Sequence, residues 1–201
     1  MIPTPVKFRP RNVAIQRERL GHQRERLRLG DGREVILRPI DPADAEPLRH
    51  GFLLLSPEEV RMRFLHPITE LTPEYALQLC SVDPATGFAL VIAEPLPPGD
   101  ALIAAVARLA FDADTREAEF ALIVARLISR QGVGSFLIER LIAYARRRKM
   151  QSIFGDVRDE NASMLHVCDR LGFTRQYVGD EPGIVRVRLD LAATRKAKTA
   201  P

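Results

Sequence analysis

Ser129-Arg130-Gln131-Gly132-Val133-Gly134-Ser135-Phe136-Leu137 is a short glycine-bearing loop that runs straight into an amphipathic helix. Its reading decides the fold. Two glycines in a Gly-X-Gly arrangement let the backbone curl so that consecutive N–H groups point into one small volume. That volume lies at the positive end of the helix, where unpaired donors and the macrodipole favour an anion such as a phosphate. Glycine before a helix also serves conformation alone, so the neighbouring segments must choose between the two readings.

Downstream, Val133, Leu137, Leu141 and Ala145 fall on one face at helical period, and Arg146-Arg147-Arg148-Lys149 closes the helix. That basic run fits the negative end of a helix and its solvent better than it fits a second phosphate site. A strand at 152–157, a helix at 161–171 and strands at 173–178 and 184–189 follow. Upstream, 88–93 and 102–111 read as buried strands, and 117–125 is a third after the tight polar connection at 112–116, giving an antiparallel meander. Ser56-Pro57-Glu58-Glu59 and Thr72-Pro73-Glu74 each place a hydroxyl at the N-cap, Pro at the first helical position and carboxylates in the first turn. Each therefore starts a helix, and 43–52 has helical apolar spacing as well. Gly30-Asp31-Gly32 separates two alternating runs, Leu27-Arg28-Leu29 and Val35-Ile36-Leu37-Arg38, and predicts a β-hairpin. The order is a mixed α/β (α+β) domain.

With 201 residues, 46% of them apolar, the chain can bury one core. Its charge is unevenly placed. Residues 1–34 hold nine Arg or Lys against four acids, and the last eleven hold three bases and no acid. Removing both from totals of 30 basic and 26 acidic residues leaves 18 and 22 over 35–190. The body is mildly acidic, which weakens a nucleic-acid reading and suits a cationic, amine-bearing partner. Cys80 and Cys168 are too few for a disulfide framework or a zinc pattern, which favours a reducing cytoplasm. His22, His50, His66 and His166 have no ligand spacing, so no metal is expected. No uncharged apolar run approaches the ~18 residues of a membrane span.

Near the start, Gln16-Arg17-Glu18-Arg19-Leu20 recurs as Gln23-Arg24-Glu25-Arg26-Leu27, with Val13 one heptad before Leu20. Two heptads do not make a coiled coil, and the expectation is a solvated helical arm. The division expected is a basic arm at 1–26, a domain at 27–190 and a basic tail at 191–201.

Four segments taken together narrow the class: Glu119-Phe120-Ala121-Leu122-Ile123-Val124, Gln131-Gly132-Val133-Gly134, Asn161-Ala162-Ser163-Met164-Leu165 and Leu171-Gly172-Phe173. In this order they resemble the GNAT N-acetyltransferase superfamily over about 27–190. Leu29-Gly30-Asp31-Gly32, Leu37-Arg38-Pro39-Ile40, Leu55-Ser56-Pro57-Glu58 and Met62-Arg63-Phe64 are similar to the GNAT domain of bacterial protein-lysine acetyltransferases. The resemblance implies a mixed central sheet with antiparallel N-terminal strands, flanking helices, and two parallel strands that splay apart to admit acetyl-CoA. It places the pyrophosphate on backbone N–H groups of Gln131, Gly132, Val133, Gly134 and Ser135, with Arg130 beside them. Pantetheine would lie along Leu122, Ile123 and Val124, with a backbone N–H near Val124 as oxyanion donor. Asn161 and Met164 would meet the cofactor, although Asn161 is equally an ordinary N-cap.

The resemblance makes Glu119 the general base, because acetyl transfer to an amine needs the neutral nucleophile and a lysine amine is mostly protonated near neutrality. The other reading of Glu119 is a solvated carboxylate or an ion pair with Arg116 or Arg108. Glu117, on the same strand face, is the reserve base. Ser129 stands where the family's phosphate motif opens with Gln or Arg, and Cys168 stands where many members carry a proton-donating Tyr. Cys168 also falls on an apolar stripe with Met164 and Leu171, which suits packing.

The expected function is transfer of acetyl from acetyl-CoA directly to a primary amine, a protein lysine first. The alternatives are a small amine such as a polyamine or antibiotic, or a non-catalytic module that senses acyl-CoA. Expected partners are acetyl-CoA and the amine acceptor, without membrane or nucleic acid, and a homodimer stays open.

Overall fold

The computed structural model describes residues 15–21, 24–64, 68–177 and 182–192. One mixed sheet of nine strands organises them. Its first four strands are β1 (Gln16–Gly21), β2 (Arg24–Arg28), β3 (Glu34–Pro39) and β4 (Gly87–Ala93). They continue antiparallel through β5 (Ile103–Asp112) into β6 (Glu117–Val124). Beyond β6 the order is β7 (Ser152–Arg158), β9 (Ile184–Asp190), β8 (Thr174–Tyr177), and only β6 and β7 run parallel.

Helix α4 (Val133–Arg147) joins the parallel pair and buries Val133, Phe136, Leu137, Ile138, Leu141, Ile142 and Ala145. Together with α5 (Ala162–Arg170) it covers one face of the sheet in a single core with Leu27, Leu37, Leu109, Phe120 and Val187. The opposite face carries α1 (Ala45–Leu53) and α3 (Pro73–Cys80), with α2 (Pro57–Phe64) lying against β6. Both expected helix starts on this side are present. The Thr72 hydroxyl accepts from the Tyr75 N–H at 3.2 Å. Ser56 and Glu59 form a reciprocal capping box, each side chain accepting from the other's backbone N–H.

The helical arm expected near the start is not a helix. Residues 16–21 and 24–28 are β1 and β2, and the described residues of the two Gln-Arg-Glu-Arg-Leu copies face each other across an antiparallel ladder. Glu18 stands opposite Arg26 and bonds it at 3.2 Å, and Arg19 stands opposite Glu25. A repeat that alternates Arg with Glu is self-complementary when folded back on itself, whereas two isolated helical heptads would bury almost nothing. β2 then alternates out and in, sending Leu27 into the core and Glu25 to Arg140 of α4 at 2.6 Å. The division expected between 26 and 27 falls inside β2. Residues 1–14 and 22–23 of the expected arm and 193–201 of the expected tail lie outside the described residues. No helix among the described residues is long and apolar enough to cross a membrane.

Candidate active-site cleft

Parallel pairing between β6 and β7 lasts for three residues only, Glu117 with Ser152, Ala118 with Ile153 and Glu119 with Phe154. β6 continues to Val124, still paired to β5 on its other side. From Phe120 onward, then, the edge of β6 that faces β7 has no strand partner. The Phe120 ring lies so close to Gly155 that a β-carbon there would come within 2.7 Å of it, and the ring meets Phe173 edge-on at 5.7 Å. Glycine at 155 is what lets this aromatic pair sit at the fork of the two strands.

A cavity of about 270 Å³ opens at the fork. Glu119, Leu122, Asn161 and Met164, all expected at the site, line it together. The Asn161 side chain accepts from the Met164 N–H at 3.1 Å, so it caps α5 while it faces the cleft. Neither Arg116 nor Arg108 pairs with Glu119: Arg108 donates to the Leu79 carbonyl and Arg116 to that of Lys149. Among the described residues the exposed Glu119 carboxylate has no hydrogen bond or ion pair. Glu117 differs. Its carboxylate is held by Arg188 and by the Ser152 hydroxyl at 3.2 Å, and the Arg188 hydrogen bond keeps its pKa below the ordinary carboxylate range. A carboxylate so engaged is a poor base.

The glycine loop meets the cleft from the side. Gly132 caps α4 in the left-handed region at φ 80°, and a β-carbon there would meet nothing within 4 Å. The first bond into the helix runs from the Phe136 N–H to the Gly132 carbonyl at 3.0 Å. The N–H groups of Val133, Gly134 and Ser135 therefore have no acceptor inside the helix. Arg130 is exposed and also adopts a left-handed φ of 60°, which curls the main chain just before the helix. The side chain of Gln131 is anchored away from the loop: its amide donates to Asp31 Oδ2 at 2.7 Å, and the Asp31 N–H returns a bond at 3.3 Å. Asp31 itself is paired with Arg33, whose hydrogen bonds hold its carboxyl well below the usual carboxylate range. The β2–β3 turn thus braces the loop. Leu122 links loop to cleft, since a β-carbon on Gly134 would sit 3.8 Å from its Cδ2. Ile123 turns to the other face of the sheet, into the apolar cluster under α1, while Val124 packs against the main core.

Cys168 is buried in the core, and burial pushes its thiol up to about 12. It does not line the cleft. Met62, Arg63 and Tyr75 from the α2–α3 side, and Asp156 from β7, line it as well, although none of them was expected at the site. Asp156 is neutralised by a bidentate pair with Arg186 at 2.8 and 2.7 Å. The Met62-Arg63-Phe64 segment was visible in the sequence, but nothing local tells that the Arg63 side chain faces a cleft built by β6.

A sheet that forks at a parallel pair, with unpaired amides at the head of the intervening helix, is the arrangement that the resemblance to GNAT acetyltransferases implied. Residues 34–174 match the family profile described as acetyltransferase (GNAT) domain, and the chain belongs to that family. It is 31% identical over 163 residues to an acetyltransferase of Pseudomonas aeruginosa, covering 81% of this chain and 87% of that protein. It is similar to the GNAT domain of S. lividans PAT, with 27% identity and a TM-score of 0.72 over 86% of this chain and 99% of that one. A cAMP-binding acyltransferase from Mycobacterium smegmatis is also 27% identical, with a TM-score of 0.54 over 83% of this chain. This chain spans 46% of that longer protein.

Proposed function

We propose that the protein is an N-acetyltransferase that moves an acetyl group from acetyl-CoA directly to a primary amine, with a protein lysine as the first acceptor class. One observation carries this reading: an unpartnered carboxylate, Glu119, lines the fork that opens beside the unpaired edge of β6. The described residues suit the cofactor. The free amides of 133–135 and the open space at Gly132 accommodate a pyrophosphate, and the edge of β6 at 122–124 accommodates an amide-bearing arm.

When bound, acetyl-CoA supplies an activated thioester whose carbonyl carbon is the electrophile and whose sulfur is the leaving group. Glu119 takes a proton from the acceptor ammonium, directly or through water, which frees the nitrogen lone pair for attack. The new C–N bond forms as the C–S bond breaks, and a backbone N–H near Val124 faces the oxygen that gains charge. The nitrogen sheds its second proton as the amide forms, and the departing thiolate regains a proton from water or from another residue of the cleft, because the Cys168 thiol is buried away from it. A free thiol's ordinary pKa of about 8.5 makes the thiolate a tolerable leaving group in any case.

Likeness to the S. lividans PAT domain supports the choice of protein lysine. The test is release of free CoA thiol with a panel of lysine peptides, polyamines and aminoglycosides, with the acetylated product identified by mass. Turnover of peptides above small amines is expected. Turnover of small amines alone would replace the acceptor, and CoA release with none of them would end the enzymatic reading.

A further inference from the structure

The cleft holds a cation although the body is mildly acidic. Over 35–190 acids outnumber bases, yet of the charged side chains lining the cleft Asp156 is consumed by Arg186, leaving Glu119 and Arg63 beside the phenol of Tyr75. Arg63 lies in the last turn of α2, where a cation usually answers the helix dipole in solvent. Here it instead forms the wall between this cleft and an apolar cavity lined by Leu48, Phe52, Leu71 and Ile103. Its guanidinium stacks on the Phe64 ring at 4.8 Å, and among the described residues it has no hydrogen bond or carboxylate partner. Arg108 of β5 lines the far side of the same wall, on the sheet face that bears Glu119, because Ala110 pairs with Glu119 and Arg108 with Ala121. Its guanidinium donates to the neutral Leu79 carbonyl. Burial first, and then the neighbouring Arg108, pull Arg63 down to about 10. The Glu119 carboxylate acts on Arg63 from across the cleft but makes no direct ion pair with it, so two half-buried guanidinium groups gain from an anion that contacts them.

We propose that Arg63, backed by Arg108, is the carboxylate-recognising side of the acceptor subsite, so that the amine acetylated at Glu119 belongs to an acceptor that also carries a carboxylate. This rests on the acetyltransferase reading above and narrows its substrate. A planar guanidinium matches a carboxylate through two parallel N–H bonds, and its stacking on Phe64 fixes its plane. The cleft is smaller than the roughly 300 Å³ at which pockets for whole small molecules begin. Amine and carboxylate must therefore lie close in space, as they do in a free amino acid or where a peptide folds a lysine side chain against an acidic neighbour.

The test uses the full chain loaded with CoA and two matched pairs of acceptors. One pair is leucine and leucinamide; the other is an end-blocked peptide with Glu or Gln directly after its lysine. Binding is read by calorimetry, and turnover with acetyl-CoA is read separately. In at least one pair the acid should be preferred by about ten-fold or more, the worth of one charge-assisted contact. Which pair discriminates identifies the source of the carboxylate. Arg63→Gln should collapse that ratio towards one, and Arg63→Lys should restore part of it. Equal treatment of acid and amide by the wild-type protein, or a preference that survives Arg63→Gln, overturns the proposal even if acetyl transfer proceeds. A preference in binding without any turnover upholds the carboxylate subsite and removes the acetyltransferase reading instead. Should Arg63→Gln fail to fold, Arg108→Gln tests the same subsite from the sheet, and the wild-type ratio decides alone.

Discussion

The two halves of the cleft are built from different material. On the proposed cofactor side most of the groups offered are main-chain: the amides at 133–135 and the unpaired edge of β6. On the acceptor side they are side chains sent from four separate elements, Arg63 from α2, Tyr75 from α3, Glu119 from β6 and Asp156 from β7. Main-chain donors tolerate almost any side chain and need only a backbone path, so that half can stay fixed while the other changes partner. The acceptor half depends on identities that one substitution alters.

The largest effect that separates the halves is expected from Glu119→Gln. Loss of the base should lower kcat by roughly 10²–10⁴, with acetyl-CoA affinity measured by calorimetry unchanged. A matched loss of affinity would instead mean that Glu119 shapes the cofactor side.

Next comes the scaffold under the acceptor half. Arg38 and Asp44 form a buried bidentate pair at 2.6 and 2.8 Å, and Asp44 also accepts from the Asp41 N–H at 2.9 Å just before α1. Asp44→Ala leaves a buried guanidinium without its counter-ion and should cost about 3–5 kcal/mol in urea unfolding. Burial pushes the Asp44 carboxyl up, but the Arg38 bonds and the backbone donor hold it net below its ordinary value. Its contribution is therefore present above the unfolded pKa of about 3.9 and lost as pH falls through the lower folded value. The stability gap between wild type and variant should shrink on acidification in that range; a gap that widens would contradict the pairing.

Gly155→Ala should cost about 1–3 kcal/mol, because the new β-carbon must displace the Phe120 ring at the fork. Thermal melts measure the loss, and acetyl-CoA affinity should fall with it if that ring sets the splay. The smallest effect is expected at Cys168. Replacing this buried thiol with Ala should cost about 1 kcal/mol and leave the alkaline limb of the pH–rate profile where it was. A shifted limb would make the thiol a proton donor after all.

Most of the scaffold was legible because its signals are local: hydroxyl caps followed by Pro at 56–57 and 72–73, Gly-Asp-Gly between alternating runs, and glycines ahead of a period-3.6 helix. The hairpin at 16–28 was not, since its repeat serves helix or strand equally and cross-strand pairing of Glu18 with Arg26 decides the matter. Of the residues expected at the site, Glu119, Leu122, Asn161 and Met164 sit in recognisable segments, and the structure brings the four to one cleft. Arg63 and Tyr75 were not expected there, because their importance lies in where α2 and α3 cross β6, which no local spacing encodes. The side-chain tie from Gln131 to Asp31 escaped for the same reason, with 100 residues between its partners.

Calorimetric titration with acetyl-CoA of the wild-type chain and of Gly134→Asp tests the central claim most directly. The substitution is gentle to the fold: its β-carbon meets only Leu122 Cδ2 at 3.8 Å, and a carboxylate in the first turn of α4 suits the helix dipole. It places a negative charge where the pyrophosphate should rest. Single-site binding by the wild type, weakened by ten-fold or more in a variant that melts no lower, is the predicted result. Absence of wild-type binding, or equal affinity in the two proteins, would contradict the cofactor site and the transferase built on it.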